Sequence, residues 1–275
     1  MRSAATVTRK TMLIGSGLGV LAFLTGCARN LAPAAQPAGA AAPAWSYEGA
    51  GGPEHWGELS PGFDSCSAGT SQSPVDIPAA AGVVSTEPVA INYSASEAVL
   101  TDNGHTTELH SLSPQGITVG GKDYAFRQMH FHAPSEHHLN GVAFDAEFHF
   151  VHQADDGELA VIGVLAAAGG AGAAAGNAIW EPFVSGLPAA AAASGEKVPA
   201  GAVVDFPALL PSELDHFRYS GSLTTPPCTE KVRWLLLQQP IELGADQLAS
   251  LKAAHSGNNR PVQPLHNREV AGVDS

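Results

Sequence analysis

The segments QMHFHAPSEHH, residues 128–138, and AEFHFVH, residues 146–152, decide how this chain folds and where its chemistry sits. Both alternate aromatic or aliphatic residues with polar ones, the period-two pattern of a half-buried strand. Side chains two apart on a strand share a face, with α-carbons about 6.6 Å apart, so His130 and His132 can converge on one ion. His149 has to come from a neighbouring strand. Three neutral imidazoles leave the fourth tetrahedral position of a zinc ion to water, as in catalytic rather than closed structural sites. Gln128 lies two residues before His130 and Glu147 two before His149, each on its histidine's face. Metal-bound imidazoles commonly donate their second N–H to such groups, so Gln128 and Glu147 are expected to orient the ligands. The plain alternative is a chance HxH among twelve histidines, with Gln128 and Glu147 satisfying polar positions in a sheet.

Outward from these segments, short strand-like runs at 89–93, 98–100, 116–119, 124–132, 143–152, 159–165 and 232–237 are bounded by Gly, Pro, Asn and Ser. Their density predicts a mainly β (α+β) domain that begins at Trp45 and continues to residue 275 without a composition break. Ile179, Trp180, Phe183, Val184 and Leu187 mark one face of a short helix that Pro188 should end, and a second short helix fits 246–254. The Ala- and Gly-rich stretches 166–176 and 189–201 read as surface loops.

Residues 1–26 read as a signal peptide: Arg2, Arg9 and Lys10, then an apolar run of about 13 residues, shorter than the ~20 a membrane helix needs. Leu24-Thr25-Gly26-Cys27 resembles a bacterial lipobox, which makes Cys27 the expected lipidation site, with ordinary cleavage as the alternative. The match of residues 8–13 to a twin-arginine signal is weak, since Lys10 replaces the second arginine. Residues 27–44, rich in Ala and Pro, then read as a tether, so the domain is expected in the cell envelope or periplasm on a lipid anchor, its only membrane contact. The formal charge of −13 becomes more negative once the leader's three cations are removed, which argues against nucleic-acid binding. Beyond Cys27 only Cys66 and Cys228 remain. An exported protein is expected to oxidise such a pair, two unpaired buried thiols being the alternative.

Seven ordered blocks carry a family resemblance: GPEHWGEL at 52–59, QSPVDI at 72–77, DNGH at 102–105, QMHFHAPSEH at 128–137, AEFHFVH at 146–152, YSGSLTTPPCTE at 219–230 and NNRPVQPLHNR at 258–268. From Trp45 almost to its carboxyl end, the chain resembles the alpha-class carbonic anhydrases, in particular their bacterial, exported members. The resemblance implies a large twisted, mostly antiparallel sheet with one zinc ion at the base of a conical cleft. It also implies a Cys66–Cys228 disulfide and reversible hydration of carbon dioxide to bicarbonate and a proton by zinc-hydroxide attack. By block position, Thr224 resembles the hydroxyl that orients the hydroxide and Glu136 the carboxylate that accepts from it. Val151, Val161, Leu223 and Trp234 resemble the apolar wall that receives carbon dioxide, and Thr225 the residue that contacts bicarbonate. His105 matches the proton shuttle, with an unperturbed pKa suited to that work. Asn103 and Tyr47 match residues of the water chain that leads to it. Glu108 departs from the family's Asn or Gln, and an acid there is expected to raise the shuttle's pKa. His55, His110, His137, His138 and His152 match no ligand position and read as surface or framework groups.

Three rival readings stay open on sequence alone. A catalytically silent binding module on the same fold typically lacks a zinc histidine, whereas His130, His132 and His149 are all present. A zinc-buffering envelope protein predicts histidines in a tract rather than singly on strands. A zinc hydrolase of peptides or esters lacks its HExxH motif here, although hydrolysis of activated esters fits as a side activity. Oligomeric state is not legible.

Overall fold

The described residues form a thirteen-stranded sheet, in whose path Val198–Pro199, Ala98–Asp102, Thr107–Ser111, Lys122–His132, Ala146–Gln153, Leu159–Ala168, Glu230–Leu237 and His216–Ser222 lie in that order. This is a computed structural model, and it describes residues 44–78, 83–84, 87–170, 176–193 and 195–273. The leader, the tether and Cys27 lie outside the described residues. Most neighbours are antiparallel, but Leu159–Ala168 pairs in parallel with Glu230–Leu237 and with Ile241–Leu243. The expected mainly β architecture with few short helices is present.

The two opening segments pair antiparallel, with His149 opposite His130, Glu147 opposite His132 and Val151 opposite Gln128. Period two therefore places all six side chains on one face. The opposite face carries Met129, Phe131, Phe148 and Phe150, which join Trp180, Phe183 and Leu187 in the larger core. Period two puts His152 on this same core face, where its Nε2 meets the Tyr93 hydroxyl at 2.6 Å, and the register shift beside it is taken up by Arg127 of the partner strand.

Two loop expectations need correction. Leu187–Ala193 is a helix, so Pro188 opens a helix rather than closing one, and the loop expected from 189 begins inside it. Proline is tolerated in a first turn, where its missing N–H has no partner to lose, and the alanines that follow are the best helix formers. Residues 166–168 continue the Leu159–Ala168 strand, with Ala146 opposite Ala166 on one side and Ile241–Leu243 on the other. Small side chains carry no period of their own, and pairing on both edges decides their conformation. The second helix, Ala245–Ala254, stands within a residue of its expected place.

Candidate metal centre

Each of the three strand histidines has one ring nitrogen engaged and one left over. His130 Nδ1–H donates to Gln128 Oε1 at 2.8 Å, His132 Nδ1–H to the Asn258 carbonyl at 2.6 Å, and His149 Nε2–H to Glu147 Oε1 at 2.8 Å. These partners set the tautomers, so the lone pairs belong to His130 Nε2, His132 Nε2 and His149 Nδ1. One nitrogen from each ring lies within 4.8 Å of the others. His132 Nε2 is buried without a hydrogen-bond partner, a state an interior rarely tolerates unless something else is meant to satisfy it. Burial pushes the pKa of all three down, that of His132 to about 4, so the rings are neutral donors at pH 7. Three neutral imidazole donors at this spacing fit a zinc ion. A second cluster, His137, Glu147 and His149, is already closed by its own hydrogen bonds, since Glu147 Oε1 accepts from both rings.

Glu147 anchors the site's floor. Its Oε2 takes the Glu136 and His137 backbone N–H groups at 2.9 and 2.8 Å, and its Oε1 takes His137 Nδ1 at 2.7 Å besides His149. Burial alone would raise its pKa, but His137 and His149 reverse that and hold the carboxyl well below its usual range. Glu136 is the opposite case, for burial raises its carboxyl to about 7. Its Oε1 accepts Arg260 N–H at 2.7 Å, while Oε2 lies 3.5 Å from His132 Nε2 and 3.9 Å from His149 Nδ1 with no partner in good hydrogen-bond geometry. Thr224, also buried, acts on the same carboxyl and draws its pKa back down.

Val151, Val161, Leu223 and Trp234 come together in one apolar cluster, and the Trp234 and His149 rings lie 4.8 Å apart. Thr225, Tyr47, Asn103 and His105 instead line a recess of about 90 Å³ with His130, His132, Gln128 and Glu108. Trp45 stacks flat on His105 at 3.7 Å and 9°. The expectation for Glu108 fails. Its carboxylate accepts from Asn103 Nδ2 at 2.9 Å and lies 3.1 Å from His110 Nε2, turned to its own partners rather than to His105. The pKa of His105 is lowered, first by burial and then by His255, against a smaller opposing pull from Asp102.

Cys66 and Cys228 are joined, their α-carbons 5.0 Å apart. Two contributors escaped sequence reasoning. Asn258 holds His132 through a backbone carbonyl, which no side-chain pattern reveals. Arg260 is a buried cation whose guanidinium donates to Gln72 Oε1, the Ser73 carbonyl and the Cys66 carbonyl at 2.8 Å each. Both lie in the block at 258–268, which was the available signal.

A family profile described as eukaryotic-type carbonic anhydrase matches residues 51–273. A carbonic anhydrase of Pectobacterium atrosepticum is 38% identical over 227 residues, covering 82% of this chain and 89% of the relative. One from Klebsiella pneumoniae is 38% identical over 248 residues, covering 89% and 97%. Among solved structures, the alpha-carbonic anhydrase of Thermovibrio ammonificans in complex with the inhibitor sulfanilamide superposes with a TM-score of 0.76 at 39% identity, covering 83% of this chain and 99% of that one.

Proposed function

Because the chain belongs to the eukaryotic-type, alpha-class carbonic anhydrases, zinc enzymes that hydrate carbon dioxide reversibly to bicarbonate and a proton, we propose that His130, His132 and His149 hold a single zinc ion through Nε2, Nε2 and Nδ1. The carrying observation is the convergence of three neutral ring nitrogens, each freed by a hydrogen bond on the far side of its ring. When bound, zinc supplies the Lewis acidity that makes water a nucleophile at neutral pH.

The chain's own residues would do the rest. Thr224 accepts the hydrogen of the attacking oxygen and passes its own toward Glu136, which fixes the lone pair that faces carbon. That relay needs Glu136 ionised, and the charge of a bound zinc ion would favour that form of a carboxyl that burial otherwise raises to about 7. Val151, Val161, Leu223 and Trp234 offer an uncharged substrate an apolar wall, and Thr225 offers the product a hydroxyl. His105 takes the proton released, along a path that Tyr47 and Asn103 border.

Export with lipid attachment at Cys27 is proposed for residues 1–44, on the strength of the basic start, the short apolar run and the lipobox-like tetrapeptide. The test of the catalytic reading is stopped-flow carbon dioxide hydration by the zinc-loaded, oxidised protein beside His130→Ala, with zinc content measured on both. Wild type should accelerate the reaction, and the variant should lose both zinc and at least about 100-fold in rate. No acceleration by zinc-loaded wild type would sink the reading.

A further inference from the structure

His105 borders two recesses. The 90 Å³ one is shared with His130, His132 and Thr225. The other, of about 270 Å³, is shared with Tyr47, Glu48, Asn258 and a histidine without a role so far, His255. His255 ends the Ala245–Ala254 helix as its C-cap, and its Nε2 lies 2.9 Å from Asp102 Oδ2, with both side chains only about a tenth exposed (12% and 11%). The same carboxylate accepts the Gly104 N–H on Oδ1 at 2.7 Å and so fixes the turn that presents His105. Asn258, which positions His132, closes the arrangement by donating Nδ2–H to the His105 carbonyl at 3.1 Å. One buried acid therefore ties the shuttle's turn to a second imidazole across a shared recess.

We propose that His255, held by Asp102, is a second proton station, receiving across the outer recess the proton that His105 carries from the metal centre and releasing it to buffer. The inference rests on His105 being the shuttle. With Nε2–H committed to Asp102, His255 takes the proton on Nδ1. His105 returns to the neutral imidazole as His255 becomes an imidazolium paired with the carboxylate, and a buffer base then removes the proton from Nδ1. Only N–H bonds form and break. The rings repel when both are charged, as the lowering of the His105 pKa by His255 reflects, so protons pass one at a time. Glu48 and Tyr47 are the other ionisable groups on the outer recess, and burial pushes the Tyr47 phenol up so that it stays neutral.

The test uses His255→Asn, which keeps a donor for Asp102, in zinc-loaded, oxidised enzyme. In weak buffer kcat should fall about three- to ten-fold with kcat/KM unchanged, and added imidazole should restore it. Combined with His105→Ala, the substitution should lower kcat no further. His255→Gln should behave alike, which guards against a folding fault in one variant. In metal-free protein, NMR titration of the His105 ring should move upward when His255 is replaced. An unchanged kcat in both His255 variants, with His105→Ala slow, overturns the second station alone, whereas an unchanged kcat in His105→Ala overturns the shuttle assignment with it. A matching fall in kcat/KM that imidazole leaves unrescued, or an unmoved His105 titration, marks a structural role and also overturns the inference.

Discussion

Gly163 sits opposite His149 on the neighbouring strand, and a methyl group there would lie 2.7 Å from Leu236 Cδ1 and 3.1 Å from Glu147 Oε1. Both contacts are too close, so Gly163→Ala must displace either the apolar wall or the carboxylate that orients His149. Overpacking of this kind costs about 1–3 kcal/mol. Urea unfolding should show that loss, and chelator competition should show weaker zinc retention; zinc affinity equal to wild type would mean that Leu236 gives way alone. Glu147→Gln probes the same support from inside. An amide offers one acceptor oxygen where four donors now meet a carboxylate, so zinc affinity should fall about 10- to 100-fold by the same competition. At this scale the sequence was most legible where function is carried by side chains on regular strands. Gln128, Glu147 and the three histidines could be placed by period two alone, whereas the His132 partner is a carbonyl brought in from residue 258. The orientation of Glu108 was equally hidden, because it depends on His110 and Asn103 rather than on the charge of the residue itself.

Where strands begin and end, a single acid gathers them. Glu158, just before Leu159–Ala168, accepts from Lys122 Nζ at 2.6 Å, Tyr124 hydroxyl at 2.8 Å and Arg233 Nε at 2.6 Å, linking Lys122–His132 to Glu230–Leu237. Lys122 and Arg233 hold its pKa down to about 2, against an ordinary value of 4.5. A depressed folded-state pKa means that the stabilisation is complete above about pH 4.5 and is lost as pH falls toward about 2. Glu158→Gln should therefore lower stability at pH 7 by about 1 kcal/mol, the group being partly exposed, and should flatten the decline between those pH values. Urea midpoints measured from pH 7 to pH 2 check both; parallel curves for the two proteins would remove Glu158 as the source. The strands it joins announced themselves through alternating aromatic and aliphatic residues. Thr107–Ser111, His216–Ser222 and Ile241–Leu243 did not, since each is short or broken by Ser and Gly and takes its conformation from a neighbouring strand. Alanine-rich stretches fail for a different reason: Ala166–Ala168 and Ala189–Ala193 have nearly the same composition, and only their neighbours make one strand and the other helix.

Across the whole molecule, the first described segment has little regular structure to hold it. Residues 45–77 contribute short helical turns and a two-residue strand, yet they carry Trp45 and Tyr47, which pack against His105. Among the ties that bind this segment to the rest of the domain are the Cys66–Cys228 disulfide, the Gln72 Nε2–H bond to the Cys228 carbonyl at 3.1 Å, the paired Ser73–Ser222 hydrogen bonds at 2.9 and 3.0 Å, and the buried Arg260 guanidinium that reaches Cys66, Gln72 and Ser73. The disulfide spans 162 residues, and closing a loop of that length restricts the unfolded chain by about 5 kcal/mol in the chain-entropy picture. Cys66→Ser with Cys228→Ser should therefore lose several kcal/mol of unfolding free energy, with about 5 kcal/mol as the upper bound. Cys228 also closes the turn after Thr224, its N–H donating to the Thr225 carbonyl at 2.9 Å, so the tie bears on the site as well as on the fold. Urea unfolding of the oxidised wild type beside the double variant, both zinc-free so that metal affinity does not mask the difference, measures the effect. Coincident transitions would mean that the hydrogen bonds of Arg260, Gln72 and Ser73 hold the segment without the covalent link and that the unfolded chain is already compact enough to forgo it.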